Sequence, residues 1–106
     1  MSSLNRVKQI KEMLEQEPDD LFLNYALAIE LSGNENTLAD AEIQYKKTLE
    51  LNSSYVPAYY QLGKLYELLQ NNDSALWYYQ QGLAFAREQK NNKAINEIEE
   101  AIFMLE

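Results

Sequence analysis

The chain contains no cysteine and no histidine among its 106 residues. The first absence excludes disulfides, thiolate-bound zinc or iron–sulfur clusters, and a thiol nucleophile. The second removes the commonest metal ligand and the one side chain that titrates near neutrality unperturbed, so acid–base chemistry would have to rest on carboxylates, lysines or tyrosines. Glycine and proline are scarce, three and two, which leaves few places for the tight turns of an all-β chain. Cations are the minority charge. Nine Lys and Arg stand against seventeen Asp and Glu, a net charge of −8, and that balance repels nucleic-acid phosphates and anionic lipid head groups. Neither a nucleic acid nor a membrane surface is expected as a partner. No stretch approaches the about 18 apolar residues of a membrane span, and Met1-Ser2-Ser3-Leu4-Asn5-Arg6 lacks the apolar run of a secretory signal, so a cytoplasmic location is expected.

What the chain does have is helical periodicity almost throughout. Apolar residues recur as Leu4, Val7, Ile10, Leu14, then Leu21, Ala28, Leu31, then Leu38, Ala41, Tyr45, Leu49, each set forming one buried stripe on a helix. Polar clusters interrupt the stripes at Glu17-Pro18-Asp19-Asp20, Gly33-Asn34-Glu35-Asn36, Asn52-Ser53-Ser54, Asn71-Asn72-Asp73 and Asn91-Asn92. Five breaks predict six helices, over 3–16, 19–32, 37–51, 56–70, 73–89 and 92–105. Asn36 or Thr37 is expected to cap the third, Asn72 or Asp73 the fifth and Asn92 the sixth, since their side-chain oxygens accept from unpaired first-turn N–H groups. Pro57 suits the first turn of the fourth, where a missing N–H is harmless. Short connections make neighbouring helices antiparallel. The sequons Asn52-Ser53-Ser54 and Asn72-Asp73-Ser74 read as connecting turns, because glycosylation requires export.

The chain also repeats. Sliding it by 34 residues lays Ala41 on Ala75, Tyr45 on Tyr79 and Leu49 on Leu83. The fourth helix carries Tyr59-x2-Leu62-Gly63-x2-Tyr66 and the fifth Ala75-x3-Tyr79. This resembles the tetratricopeptide repeat pattern W-x2-L-G-x2-Y followed by A-x3-F, with tyrosine for Trp and Phe. Packing explains the pattern: Gly63 and Ala75 are small where two helix backbones approach, and Leu62, Tyr66, Tyr79 and Leu83 fill the space around them. A weaker copy lies upstream in Leu27-Ala28-x2-Leu31 and Ala41-x3-Tyr45, with Asn24 where an aromatic is usual and one extra residue in the Gly33–Asn36 turn. Ser53 and Arg87 stand where a repeat-ending proline is usual. The fold expected is all-α, a TPR-like right-handed stack of antiparallel helix pairs in a single domain spanning 1–106. It would comprise an N-terminal half-repeat helix (3–16), a first repeat (19–53), a second repeat (56–89) and a C-terminal capping helix (92–105). The cap's stripe is Ala94, Ile95, Ile98, Ala101, Ile102 and Leu105.

The resemblance implies a non-catalytic module that binds a peptide or partner protein, without a cofactor or metal, in a concave groove lined by the first helix of each repeat. By position, the groove residues are Phe22, Tyr25, Ile29 and Ser32 from the first repeat and Tyr60, Lys64 and Glu67 from the second. Tyr25 and Tyr60 lead, because a rigid ring with a hydroxyl tip provides contact area and a hydrogen bond at small entropic cost; packing of both rings into the core is the alternative. Lys64 is the only cation in this set. The implied ligand is therefore partly hydrophobic rather than the carboxylate tail that a chaperone-binding subclass clamps with Lys, Asn and Arg. Trp77 and Tyr78 lie beside the core stripe of the fifth helix. We expect the terminal helix to cover them together with Phe85; the alternative is an exposed patch for homo-oligomeric self-association. The carboxylate pairs Glu97 with Glu100 and Asp19 with Asp20 read as solvated charges, not as an acid–base dyad.

Overall fold

The computed structural model describes residues 3–106. All regular structure among them is helical: α1 (Ser3–Gln16), α2 (Leu21–Ser32), a short 3-10 turn (Glu35–Thr37), α3 (Leu38–Leu51), α4 (Val56–Leu68), α5 (Asn72–Glu88) and α6 (Asn92–Leu105). The architecture is the expected all-α, TPR-like one. The chain divides into two compact units, one ending at Ser53 and one running from Ser54 to Glu106.

In the first unit α2 packs against both α1 and α3. It begins two residues later than predicted because Asp20 takes the cap, its side chain accepting from the Leu23 amide at 2.8 Å. The predicted cap of α3 is a correction. Thr37 occupies the capping position, but its hydroxyl donates backwards, to the Leu31 carbonyl at 2.5 Å and the Asn34 carbonyl at 3.1 Å. It closes the end of α2 instead of the start of α3. Ala28, Ala41 and Tyr45 are fully buried between the helices with Leu27 and Leu31.

In the second unit α4 and α5 form the tighter hairpin, and α6 packs on α5 and touches α4. Pro57 lies in the first turn of α4 as predicted. Both connections use one device. Gln70 (φ 59°) and Lys90 (φ 55°) take the left-handed conformation, and the next amide reaches back, Asn71 to the Tyr66 carbonyl at 2.9 Å and Asn91 to the Ala86 carbonyl at 3.0 Å. This is the Schellman closure, which satisfies carbonyls that the helix end leaves open. Chain reversal at residues 70 and 90 moves both caps earlier than the expected Asn72 or Asp73 and Asn92: Asn71 caps α5 through the Ser74 amide and Asn91 caps α6 through the Ala94 amide, both at 3.1 Å. Asn72-Asp73-Ser74 consequently belongs to the first turn of α5 and not to a connecting turn, whereas Asn52-Ser53-Ser54 lies in one.

The two glycines of the hairpin are spaces for tyrosine. A Cβ on Gly63 would stand 2.2 Å from the Tyr79 ring, and one on Gly82 would stand 2.7 Å from Tyr59 Cβ. The first unit answers the second of these contacts differently, holding Asn24 and Thr48 at the positions of Tyr59 and Gly82 (59 minus 24 is 35; 82 minus 48 is 34). The side chain at one position grows as the other shrinks, as close packing requires.

Candidate partner-binding faces

On α2, Phe22, Tyr25, Ile29 and Ser32 follow at intervals of three and four residues and so share one helix face. Phe22 is 69 % exposed, and the other three are half-buried. Beneath them lies Tyr45 of α3, whose ring centre is 6.1 Å from that of Tyr25 and whose hydroxyl donates to Ser32 Oγ at 3.3 Å. Ser32 in turn donates to the Ile29 carbonyl at 2.8 Å. Burial raises the Tyr45 phenol above its usual range, and the Ser32 contact offsets part of that rise. The face is thus an aromatic and aliphatic strip whose last member, Ser32, is engaged with the core tyrosine.

On α4, the matching positions hold Tyr60, Lys64 and Glu67. Tyr60 is half-buried with its ring 6.0 Å from that of Tyr79, and Lys64 is exposed with its ammonium 5.3 Å from the Tyr60 ring centre. That geometry is a cation–π contact, which holds the lysine stem along the ring. Glu67 accepts the hydroxyl of the fully buried Tyr79. Burial first, then the carboxylate beside it, pushes the Tyr79 phenol far up, so it stays protonated as a donor. Tyr25 and Tyr60 thus each lay one side of the ring on a core tyrosine and keep partial exposure.

Each unit thus seals its second-helix tyrosine with a polar group from the first helix, Ser32 over Tyr45 and Glu67 over Tyr79. Sequence reasoning missed this pairing. The available signal was a polar residue within the last two positions of the first helix in both repeats, opposite a tyrosine in both second helices. It also missed the work of Asn24, which is 1 % exposed. Its amide donates to the Pro18 carbonyl at 3.0 Å and the Asp20 carbonyl at 2.7 Å, while its oxygen accepts from Gln44 Nε2 at 2.5 Å. A polar residue replaces the usual aromatic there by satisfying its own groups and the start of α2.

The expected covering of Trp77 by the terminal helix is corrected. Trp77 is 52 % exposed, edge-on to Tyr78 at 4.8 Å. The α6 helix seats instead over Gly82, where Ile98 reaches within 3.4 Å of a Cβ position, and Gly82 lies about 140° round the helix from Trp77. Tyr78 is half-buried and stacks on Tyr66 at 5.3 Å, and Phe85 stacks on Tyr59 at 5.5 Å. Of the pair, only the Trp77 ring is offered outward.

Among the described residues no group of three acidic side chains could hold a metal, and no buried side-chain donor or acceptor lacks a partner. None of the described helices is long and apolar enough to cross a membrane.

No family model and no curated protein matches the chain. Among solved structures, the chain is similar to a tetratricopeptide repeat domain protein from Salinibacter ruber in its solution structure, at 38 % identity and TM-score 0.77 over 84 % of this chain and 89 % of that one. A crystal structure of a tetratricopeptide repeat domain protein from the same organism gives 36 % identity and TM-score 0.74 over 81 % and 94 %. A Bordetella parapertussis protein in solution is alike at TM-score 0.83 over 93 % and 85 %, at 21 % identity, which is a likeness of fold.

Proposed function

The chain belongs to the tetratricopeptide repeat family, and from that premise we propose that it is a non-catalytic interaction module holding a peptide or partner protein on the first helices of its two hairpins. The observation that carries the reading is the repeated aromatic face, Phe22 and Tyr25 on α2 and Tyr60 with Lys64 on α4. In each unit a ring is held in place by a core tyrosine and keeps a surface for contact. Pre-ordered rings lose little entropy on binding, and such side chains dominate the energetics of protein interfaces. Ser32 and Glu67 serve the face from behind, by fixing Tyr45 and Tyr79. The ligand that fits is partly apolar, since Lys64 is the only cation among the seven residues. The cytoplasmic location expected from the sequence is part of the same proposal, and recovery of a tagged native copy in another fraction would refute it.

The test is affinity capture from the native host, followed by titration of the recovered partner with Tyr25→Ala and Tyr60→Ala. Each substitution should weaken binding by about 1–2 kcal/mol, roughly tenfold, with helicity unchanged. Unchanged affinity in both would remove these faces from the interface. A second reading is favoured by the outward ring of Trp77, namely self-association through that surface with a contribution from Tyr78. Sedimentation equilibrium decides it: Trp77→Ala should then lower the association constant, and equal behaviour of the two proteins would dismiss it.

A further inference from the structure

The two terminal helices carry outward stripes that read as complements of each other. On α1 the stripe is Leu4, Lys8, Lys11 and Glu15, all exposed, with Leu4 77 % exposed. On α6 it is Lys93, Glu97, Glu100 and Met104, likewise exposed, with Met104 76 % exposed. The intervals are four, three and four residues along α1, and four, three and four backwards along α6. Each stripe therefore follows a single helix face.

Laid antiparallel, the stripes match without a gap. Leu4 meets Met104, Lys8 meets Glu100, Lys11 meets Glu97 and Glu15 meets Lys93, one apolar pair and three opposite charges in one register. A slip of one turn places Lys8 against Met104 and leaves the match broken. Phe103, equally exposed, flanks Met104 and widens the apolar end, and α1 offers a shallow depression beside Leu4 and Val7, bordered by Lys8 and Lys11. Two other charged groups on these helices are already directed elsewhere, Arg6 to Glu30 at 3.2 Å and Glu99 to Arg87 at 3.2 Å, while Glu12 borders the α1 depression beside Lys8 and Lys11. Lys93 and Glu97 approach each other at 4.0 Å along α6. That contact lies at the outer limit of an ion pair and leaves both able to face a partner.

We propose that α6 of one copy docks antiparallel on α1 of a second copy, so that the chain associates head to tail. The occupant is another copy because the complementary stripe, in charge, order and spacing, is present in this chain. Such a contact is heterologous, joining a different surface from each of the two copies. Its specificity is electrostatic, so its strength falls with salt.

Sedimentation of the full chain tests it, at about 0.05 M and about 0.5 M salt. The expected result is concentration-dependent association at low salt that weakens by about tenfold or more at high salt. A monomer at all concentrations in low salt overturns the proposal. The double variant Glu97→Lys, Glu100→Lys, and separately Lys8→Glu, Lys11→Glu, should each lose the association while keeping the circular dichroism of the parent. The fourfold charge exchange, carrying both sets in one chain, should restore it. Association that survives either double reversal, or fails to return in the fourfold variant, refutes this register. Trp77→Ala leaves this association intact, which separates the outcome from self-association through the Trp77 surface.

Discussion

The sharpest consequence of the packing concerns Gly63. Replacing it with alanine places a methyl carbon 2.2 Å from Tyr79 Cε1, with two further ring atoms at 2.4 and 2.6 Å. An ordinary carbon contact needs about 3.5–4.0 Å, so the ring must move by more than about 1 Å. Tyr79 has little freedom to do so. It is fully buried, its hydroxyl is bound to Glu67, and Tyr60 lies against it. Overpacking of this kind costs about 1–3 kcal/mol, and losing the hydrogen bond to a carboxylate costs about 1.5–3 kcal/mol. The two overlap, because moving the ring accomplishes both. Against them stands the better helix propensity of alanine, about 1 kcal/mol. The net is a loss of about 2 kcal/mol, which lowers the melting temperature of a domain this size by about 10 °C. Trp77, the only tryptophan, lies in the same unit, so its fluorescence during thermal or urea unfolding reads the affected hairpin directly. Gly33→Ala supplies the control. There φ is −79° and the added carbon meets the Glu30 carbonyl at 3.4 Å, so the same substitution should be neutral or stabilise by about 0.5 kcal/mol. A Gly63→Ala protein that melts as late as the parent would show that the Tyr79 ring is not confined and that the argument from its position is wrong.

The remaining predictions concern the turns, the buried asparagine and the buried phenols. Gln70→Gly and Lys90→Gly should each stabilise by about 1 kcal/mol, since both positions hold a side chain at positive φ; unchanged or lower urea midpoints would count against the turn geometry. Asn24→Ala should cost about 2 kcal/mol by stranding Gln44 and the Pro18 carbonyl, the Asp20 carbonyl keeping the backbone amide of residue 24, and Asn24→Tyr should be partly rescued by Thr48→Gly, which recreates the pairing of Tyr59 with Gly82. Tyr45 and Tyr79 titrate higher in the folded chain than in the unfolded one, where a phenol loses its proton near about 10. Below that value both states hold the proton and stability is level. Above it the unfolded state releases protons that the folded state retains, so stability falls, at up to about 1.4 kcal/mol per pH unit for each tyrosine. Urea midpoints that stay constant up to about pH 11 would contradict this.

Much of the fold was legible locally. The stripes of α1 to α6 and the polar clusters between them were readable because a helix writes its own period of 3.6 residues, and the 34-residue shift exposed the two hairpins. The faces were legible to the same extent: Tyr25 and Tyr60 follow from their place in the repeat. Their support was not, because the contacts of Ser32 with Tyr45 and of Glu67 with Tyr79 join residues 13 and 12 positions apart on different helices.

The sequence by itself determined that this chain is a run of amphipathic helices built on a repeated hairpin, since periodicity, turn residues and small residues at close approaches act over a few positions. The tertiary structure decided what neighbours across the hairpins impose. It turned Thr37 back towards α2, moved the caps to Asn71 and Asn91, and made Asn24 a satisfied core residue. It also seated α6 over Gly82, away from Trp77. Each of these depends on which surface a side chain meets after the helices pack, and that meeting is set by volumes and hydrogen-bonding groups distant in the chain.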